Sequence, residues 1–551
     1  MLELKNISYE VDDDNDNKEI LKNVNLTIDE HFVAITGPNG GGKSTLARII
    51  AGIHTPTSGQ ILFNGEDITD LSITERAKRG ISFAFQQPVH FKGLTVKDLV
   101  NIAAGKPMSV SDICDILSEV GLCAREYIDR EVNSSLSGGE LKRIEIATIL
   151  ARGTQLSIFD EPEAGIDLWS FNSLIKVFEK MRDEINGSIL IISHQERILN
   201  IADKIIVIAN GSVDSIGSKE EIMPRLMNQP STCKTLTDKA EKGGLSMDAI
   251  QKNLLEQVAG LHEIPEGAYN IRSDGQLAGR NTTANIDIIS KQDKSGIDIY
   301  IKPGTTNESV HIPVILSQSG LQELVYNDFH VGENCDVTII AGCGIHNCGT
   351  DTSKHDGVHT FYVGKNSKVR YIERHYGEGD GRGENIMNPE TVVHLEENAY
   401  MEMETTQIKG IDSTNRITRG DLKDGATLEV REKIMTHGKQ YAKTDFHVEL
   451  NGKDSSTNIV SRSVAKGESH QVFLAKISGN NKCAGHSECD AIIMENAHVD
   501  ATPELSANNI DASLIHEAAI GKIAGDQLIK LMTLGLTEAE AEEQIINGFL
   551  K

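Results

Sequence analysis

Nine residues constrain this chain more than any others: Gly37 to Thr45, GPNGGGKST. They read G-x-x-x-x-G-K-S, closing on Gly42, Lys43 and Ser44. The apolar run Phe32-Val33-Ala34-Ile35 ahead of them predicts a buried strand. LARIIAGI behind them predicts the opening turns of a helix. Strand, glycine loop and helix in this order are the context of a phosphate-binding loop. Gly37, Gly40 and Gly42, with Asn39 and Thr45 in the same loop, let backbone N–H groups face phosphate oxygens. The helix N-terminus adds partial positive charge. Lys43 reaches the β- and γ-phosphates, and Ser44 holds Mg²⁺.

Later segments narrow "nucleotide" to one class. Leu136–Glu140 is LSGGE, followed by the helical pattern IEIATILAR. Leu156–Glu161, LSIFDE, is an apolar strand ending in two carboxylates. With the phosphate loop, in this order, these segments resemble the ATPase domain of ABC proteins over roughly residues 1–225. The resemblance implies an α/β P-loop fold that binds ATP and Mg²⁺ and hydrolyses ATP. It assigns Asp160 to Mg²⁺, Glu161 to the attacking water, Gln86 of FAFQQP to both, and His194 to the switch position. Tyr9 stacks on adenine, Gly165-Ile166-Asp167 forms the D-loop, and residues 87–95 touch a partner domain. Ser137, Gly138 and Gly139 complete the nucleotide site of another subunit, so a homodimer is expected.

The formal charge of −27 makes nucleic acid and anionic membranes poor partners. No apolar run approaches the ~18–20 residues of a membrane-spanning helix. MLELKNISYE has neither signal-peptide nor transit character. Eight cysteines in 551 residues do not make a disulfide framework, so a reducing, cytoplasmic setting is expected.

Residues 226–261 read as a polar, breaker-rich linker and a short helix, capped by Ser246, with Ile250, Leu254, Leu255 and Val258 on one face. From 262 to 512 short β-type segments recur. VGENCDVTI, VGKNSKVRY, LEENAYMEM and LKDGATLEV open on Val331, Val363, Leu395 and Leu422, which lie 32, 32 and 27 residues apart. Each has a turn residue three later (Asn334, Asn366, Asn398, Gly425), then a small residue, then apolar residues six and eight after the opener. Strands returning at a near-fixed period after a tight turn predict an all-β solenoid, most simply a right-handed parallel β-helix; a β-sandwich is the alternative. Residues 513–551 read as two helices, the second with a Thr537/Glu540 capping box.

The tail HEAAIGKIAGDQLIKLMTLGLTEAEAEEQIINGFL resembles the C-terminus of the SufB/SufD scaffolds of the SUF iron–sulfur assembly machinery, and the first half then resembles SufC. That resemblance implies a SufC–SufB-type fusion, with an ATPase at 1–225, a β-helix at 262–512 and a helical subdomain at 513–551 docking on the ATPase through Leu528, Leu531 and Met532. Its activity would be ATP-driven scaffolding of iron–sulfur clusters, with a sulfur donor such as a cysteine desulfurase and apo iron–sulfur proteins as partners. Lys142 would pair with Glu161 at rest. Counting back from His516, the scaffold cysteine of SufB falls at Ala497, a departure. Two cysteine clusters are candidate ligands: first Cys483 and Cys489 with His516 and Glu517 at the helix entrance, then Cys343 and Cys348. Cys335 occupies the small slot of the repeat and reads as structural. Two other functions fit parts of the pattern: a transporter ATPase with a regulatory domain, and a β-solenoid binding module on an ATPase.

Overall fold

A computed structural model covers the chain and describes it except for residues 14–15, 39, 134, 164–167, 185–186, 223–248, 262–264 and 266. It divides into two units: Met1–Lys239 together with Ala524–Phe549, and Ala240–Ile523.

The first unit is built on a six-stranded sheet. Its order is Ser212–Gly217, Lys204–Ala209, Phe32–Thr36, Ser188–Ile192, Leu156–Asp160 and Ile81–Ala84, parallel except for the edge hairpin. The inner strands are near-continuous apolar runs because both faces are covered. A four-stranded antiparallel sheet holds Leu2–Asp13, Asp16–Ile28, Ser58–Phe63 and Glu66–Asp67. The phosphate loop, Gln86, Glu161 and His194 all follow the carboxyl ends of parallel strands, where such sheets bind ligands.

The helices Gly525–Thr533 and Glu538–Phe549 belong to this unit. Lys530 Nζ donates to Glu145 Oε1 at 2.8 Å, with both side chains buried. Thr74 Oγ1 donates to Leu536 O (2.7 Å), Gln527 Nε2 to His90 O (2.7 Å), and Lys551 pairs with Asp98 (2.6 Å). Gly93, at φ +83°, lies so close to the second helix that a Cβ would stand 2.0 Å from Gly548 O. The buried residues of the first helix are Lys530, Leu531 and Thr533, whereas Leu528 and Met532 are half-buried.

The second unit is a β-solenoid of two sheets, each built from alternate strands and parallel except for the hairpin that opens it. The repeat openers stack in register, Val331 on Val363 on Leu395 on Leu422. Asn334, Asn366 and Asn398 each turn the chain at φ +57°, and Gly425 at +66°. Asn tolerates this left-handed region better than other side chains. The three amides also form a ladder, with Asn366 donating to Asn334 (3.4 Å) and Asn398 to Asn366 (3.3 Å). Cys335 fills the small slot and is buried. The helix Ala249–Ala259 packs Leu254, Leu255 and Val258 against Ile271 and Ile315, but Ile250 faces solvent. Ser246 lies outside the described residues.

The expected helix from residue 513 is a correction. Ala512–Gly521 is the last strand of the solenoid, paired residue for residue with Cys483–Ile493, and helix begins only at Gly525. The run ASLIHEAAIG has helical composition, but pairing with the previous rung overrides that weak preference. The boundary therefore moves from 512 to about 523.

Candidate active site

Gly37 (φ +132°) passes so near Ile208 that a Cβ would meet its carbonyl oxygen at 2.0 Å. Only glycine fits there, and it turns the chain from strand into loop. Lys43 opens the helix Lys43–Ala51, and its Nζ donates to Gly37 O (2.8 Å) and Pro38 O (2.9 Å). Burial lowers its pKa against the pull of Glu161 and Asp160. Ser44 Oγ donates to Asp160 Oδ1 at 2.7 Å. Asp160 Oδ2 is buried without a hydrogen-bond partner, and desolvation raises the pKa of the carboxyl. A hydroxyl and a carboxylate oxygen in this position fit Mg²⁺, which would compensate that buried oxygen.

Glu161 is held from four sides. Its backbone is left-handed at φ +43°, a strained state for glutamate of the kind found at functional sites. Its N–H donates to Ile192 O (3.1 Å), and its Oε2 accepts from Gln86 Nε2 (2.7 Å). His194 Nε2 stands 3.8 Å from Oε1. Burial and then the nearby Lys43 charge lower the His194 pKa, favouring neutral imidazole. Lys142 does reach Glu161, but its Nζ donates to the main-chain carbonyl at 2.7 Å, not to the carboxylate. Desolvation lowers the Lys142 pKa, opposed by Glu145, Glu163, Asp160 and Glu161.

Lys43, Ser44, Thr45, Gly40, Gly42, Gln86 and Glu161 share the wall of one cleft of about 610 Å³. Tyr9 is not on that wall; its ring stacks on His54 at 5.4 Å. Ser137, Gly138 and Gly139 are also off it. Ser137 caps the helix Gly138–Arg152 through a capping box with Glu140, and Ser137 and Gly138 are exposed. Asn39 and Asp167 fall outside the described residues.

Two acids, Glu145 buried and Glu163 half-buried, escaped the sequence reading. Glu163 accepts from Ser193 Oγ (2.5 Å) and His194 N (3.3 Å), tying the switch segment to the carboxylate strand, and burial raises its pKa. Its signal was its place in Glu161-Pro162-Glu163. Glu145 Oε1 accepts both Phe85 N (2.9 Å) and Lys530 Nζ. It carried no signal beyond its place on a helix.

The solenoid separates the cysteine candidates. Cys483 and Cys489 lie on one strand, six residues and so about 20 Å apart, too far to share a cluster. Both are buried, and desolvation pushes the Cys489 thiol up to about 12. Strand alternation puts His516 beside Ser487 (Nδ1 to Oγ, 2.6 Å), while Glu517 stands exposed on the opposite face in register with Glu488. These four residues are therefore not one site, and His516-Glu517 lies in a strand, not at a helix entrance. Cys343 is buried and its pKa raised by desolvation. Cys348 is exposed, with its Sγ 3.0 Å from His346 Nε2 and His346 Nδ1 3.3 Å from Glu378. Inside the solenoid runs a buried ionic row whose pairing the sequence did not show. Glu373 accepts from Arg416 and from Tyr371 (3.1 Å), and Glu432 from Thr444 (2.9 Å) and Ser461 (2.8 Å).

A phosphate loop at the end of a central parallel strand, with paired acids at the end of the next strand but one and the switch histidine after the strand between them, defines a P-loop ATPase of ABC type. Residues 21–164 match the ABC transporter family, and residues 318–549 the SufBD core domain of SUF system FeS cluster assembly. Over 215 residues the chain is 43% identical to an uncharacterised ABC transporter ATP-binding protein of Methanocaldococcus jannaschii, covering 37% of this chain and 86% of that one. Over 236 residues it is 34% identical to a "Probable ATP-dependent transporter ycf16" of Cyanophora paradoxa, covering 40% and 89%. The chain belongs to the ABC ATPases, and its second half is a SufBD core. It is thus an ABC-type ATPase joined to a SufBD core, a domain of SUF system FeS cluster assembly. Among the described residues no helix is long and apolar enough to cross a membrane.

Proposed function

We propose that the chain is an ATP-driven scaffold for iron–sulfur clusters that works as a cytoplasmic homodimer, closure of the ATPase units remodelling the paired scaffolds. The observation that carries this reading is the separation of the signature from the cleft. Ser137 and Gly138 stand exposed and off the wall that Lys43, Ser44, Gln86 and Glu161 build. A second copy is the natural source of the missing wall. In this reading Lys43 and the loop N–H groups hold the phosphates, and Ser44, Asp160 and Gln86 hold Mg²⁺. Glu161 orients the attacking water, with His194 beside it. Iron and sulfide are substrates, the sulfur coming from a donor such as a cysteine desulfurase and the cluster leaving to apo iron–sulfur proteins. Of the four candidate thiols, Cys348 is the exposed one.

Glu161→Gln tests the reading, because it removes the water-orienting carboxylate and keeps the phosphate and Mg²⁺ contacts. Hydrolysis should fall by about 10²–10³-fold, and ATP should shift the variant to a tighter dimer on size exclusion. Unchanged association with ATP would sink the coupling of hydrolysis to dimer closure.

A further inference from the structure

The outer face of the solenoid carries a gathering of metal-ligating side chains that the nucleotide chemistry does not use. His470 opens the strand His470–Gly479, and His498 opens the neighbouring parallel strand His498–Ala507. The two histidines pair Cα to Cα, and Asp500 follows His498 by two residues, on the same face. His470 Nε2 lies 2.9 Å from Asp500 Oδ2, and His498 Nε2 lies 3.3 Å from Asp500 Oδ1. One ligand atom from each of the three lies within 4.8 Å of the others.

A shared carboxylate sets this group apart from the ring ladder of the same sheet. On the same sheet Tyr300, His330, Tyr362 and His394 stack rung on rung, with interplanar angles of 9°, 6° and 11°. Rings pack stacked in this way or edge-to-face, so the mark of a site is the carboxylate that two of them share. His470 and His498 are instead tilted by 59° at 5.1 Å, and both Nε2 atoms turn to one carboxylate. Tyr441 packs edge-on against His470 at 5.7 Å. The main-chain N–H groups of both histidines are pinned to the preceding coil, at Gln440 O (3.0 Å) and Ser469 O (2.9 Å). Lys443, in the same row two strands back, is paired with Asp445 at 3.4 Å.

We propose that His470, His498 and Asp500 form a binding site for a divalent first-row transition metal. The metal takes the place of the protons shared between the imidazoles and the carboxylate, and water fills the exposed side. Two imidazoles and one carboxylate with open positions are the donor set of non-haem ferrous iron, and also suit zinc. Paired rungs fix both backbones before the ion arrives, so little ordering is left to do. That the ion is ferrous iron held for cluster building rests on the assembly reading; the site itself does not.

The test is an anaerobic titration of the tag-free full-length chain with Fe²⁺ by calorimetry, and with Co²⁺ by visible absorption. One equivalent should bind with affinity at least tenfold weaker in His498→Ala and in Asp500→Asn, and the Co²⁺ bands should change in both. His447→Ala is the control: His447 Nε2 stands 2.9 Å from Asp445 Oδ1, one imidazole on one carboxylate, and its loss should leave that equivalent intact. Wild-type Fe²⁺ and Co²⁺ binding in both site variants overturns the proposal, as does an equal loss in His447→Ala. If the wild type binds the equivalent but builds no cluster from iron and sulfide, the metal site stands and the assembly reading falls.

Discussion

Replacing Lys530 by methionine should destabilise the first unit more than any exposed ion pair could. Lys530 Nζ and Glu145 Oε1 are 2.8 Å apart, with side chains only 3% and 5% exposed. Methionine keeps the packing volume of the stem but leaves the Glu145 carboxylate buried, with Phe85 N still donating to it. Breaking a buried pair from one side costs about 3–5 kcal/mol, because the surviving charge loses its hydrogen-bonded partner. For a unit of this size that is a fall in Tm of about 5–9 °C, read on the melting transition that ATP raises. The double variant Glu145→Gln/Lys530→Met removes both charges while the amide oxygen still accepts from Phe85 N, so it should recover most of the loss. ATP hydrolysis should fall in the single variant as well, since Glu145 anchors the residue before Gln86, and Gln86 holds Glu161. A single variant that melts with the wild type, or a double variant that is worse than the single, would refute the reasoning.

Acid should weaken the solenoid before its carboxylates titrate. Burial lowers the His359 pKa to about 4 and also lowers that of His375. Both groups protonate more readily unfolded, so their stabilisation is full above about pH 6.5 and is lost as pH falls toward 4. His359 alone should cost about 2 kcal/mol by pH 5, checked by melting the solenoid transition at pH 7 and pH 5. Iodoacetamide should label Cys348 in the folded chain well before Cys489, whose thiol is buried and poorly ionised; mass spectrometry of the peptides reads the order. Asn366→Ala should cost about 1 kcal/mol for a left-handed turn residue and Asn366→Gly clearly less, measured by denaturant unfolding; equal costs would place the effect in the amide ladder instead.

The nucleotide site was legible because its chemistry is written in contiguous segments. A phosphate loop, a carboxylate strand end and a switch histidine each need a fixed local order, and the sheet then brings Lys43, Ser44, Gln86 and Glu161 to one cleft. The solenoid was legible for a similar reason. Its period sets apolar rows and turn residues at constant offsets, and Val331, Val363, Leu395 and Leu422 do stack. What failed was whatever depends on which way a side chain points. Cys483 and Cys489 looked like one cluster because six residues are few in sequence, yet a strand spreads them over about 20 Å. His516 and Glu517 looked like one pair because they are adjacent, and adjacency in a strand means opposite faces.

The buried row inside the solenoid shows what the repeat conceals. A coil with apolar rows at a near-constant period could slip by one whole rung and still bury Val, Ile and Leu on Val, Ile and Leu. Glu373, Arg416 and Glu432 cannot slip. Glu373 sits on the strand Lys368–Glu378, Arg416 on Ser413–Leu422 of the opposite sheet, and Glu432 on Thr427–Thr436. Arg416 bonds Glu373 and stands 3.7 Å from Glu432, and all three side chains are at most 3% exposed. Displacing one rung would strand a charge in the core at a cost of several kcal/mol, more than a mismatched apolar contact takes. Alternation does put Glu373 on the face of Val369 and Tyr371, and Glu432 on that of Leu428 and Val430, but it names no partner for either charge. Their pairing is a property of several rungs at once, so no single segment of sequence could announce it.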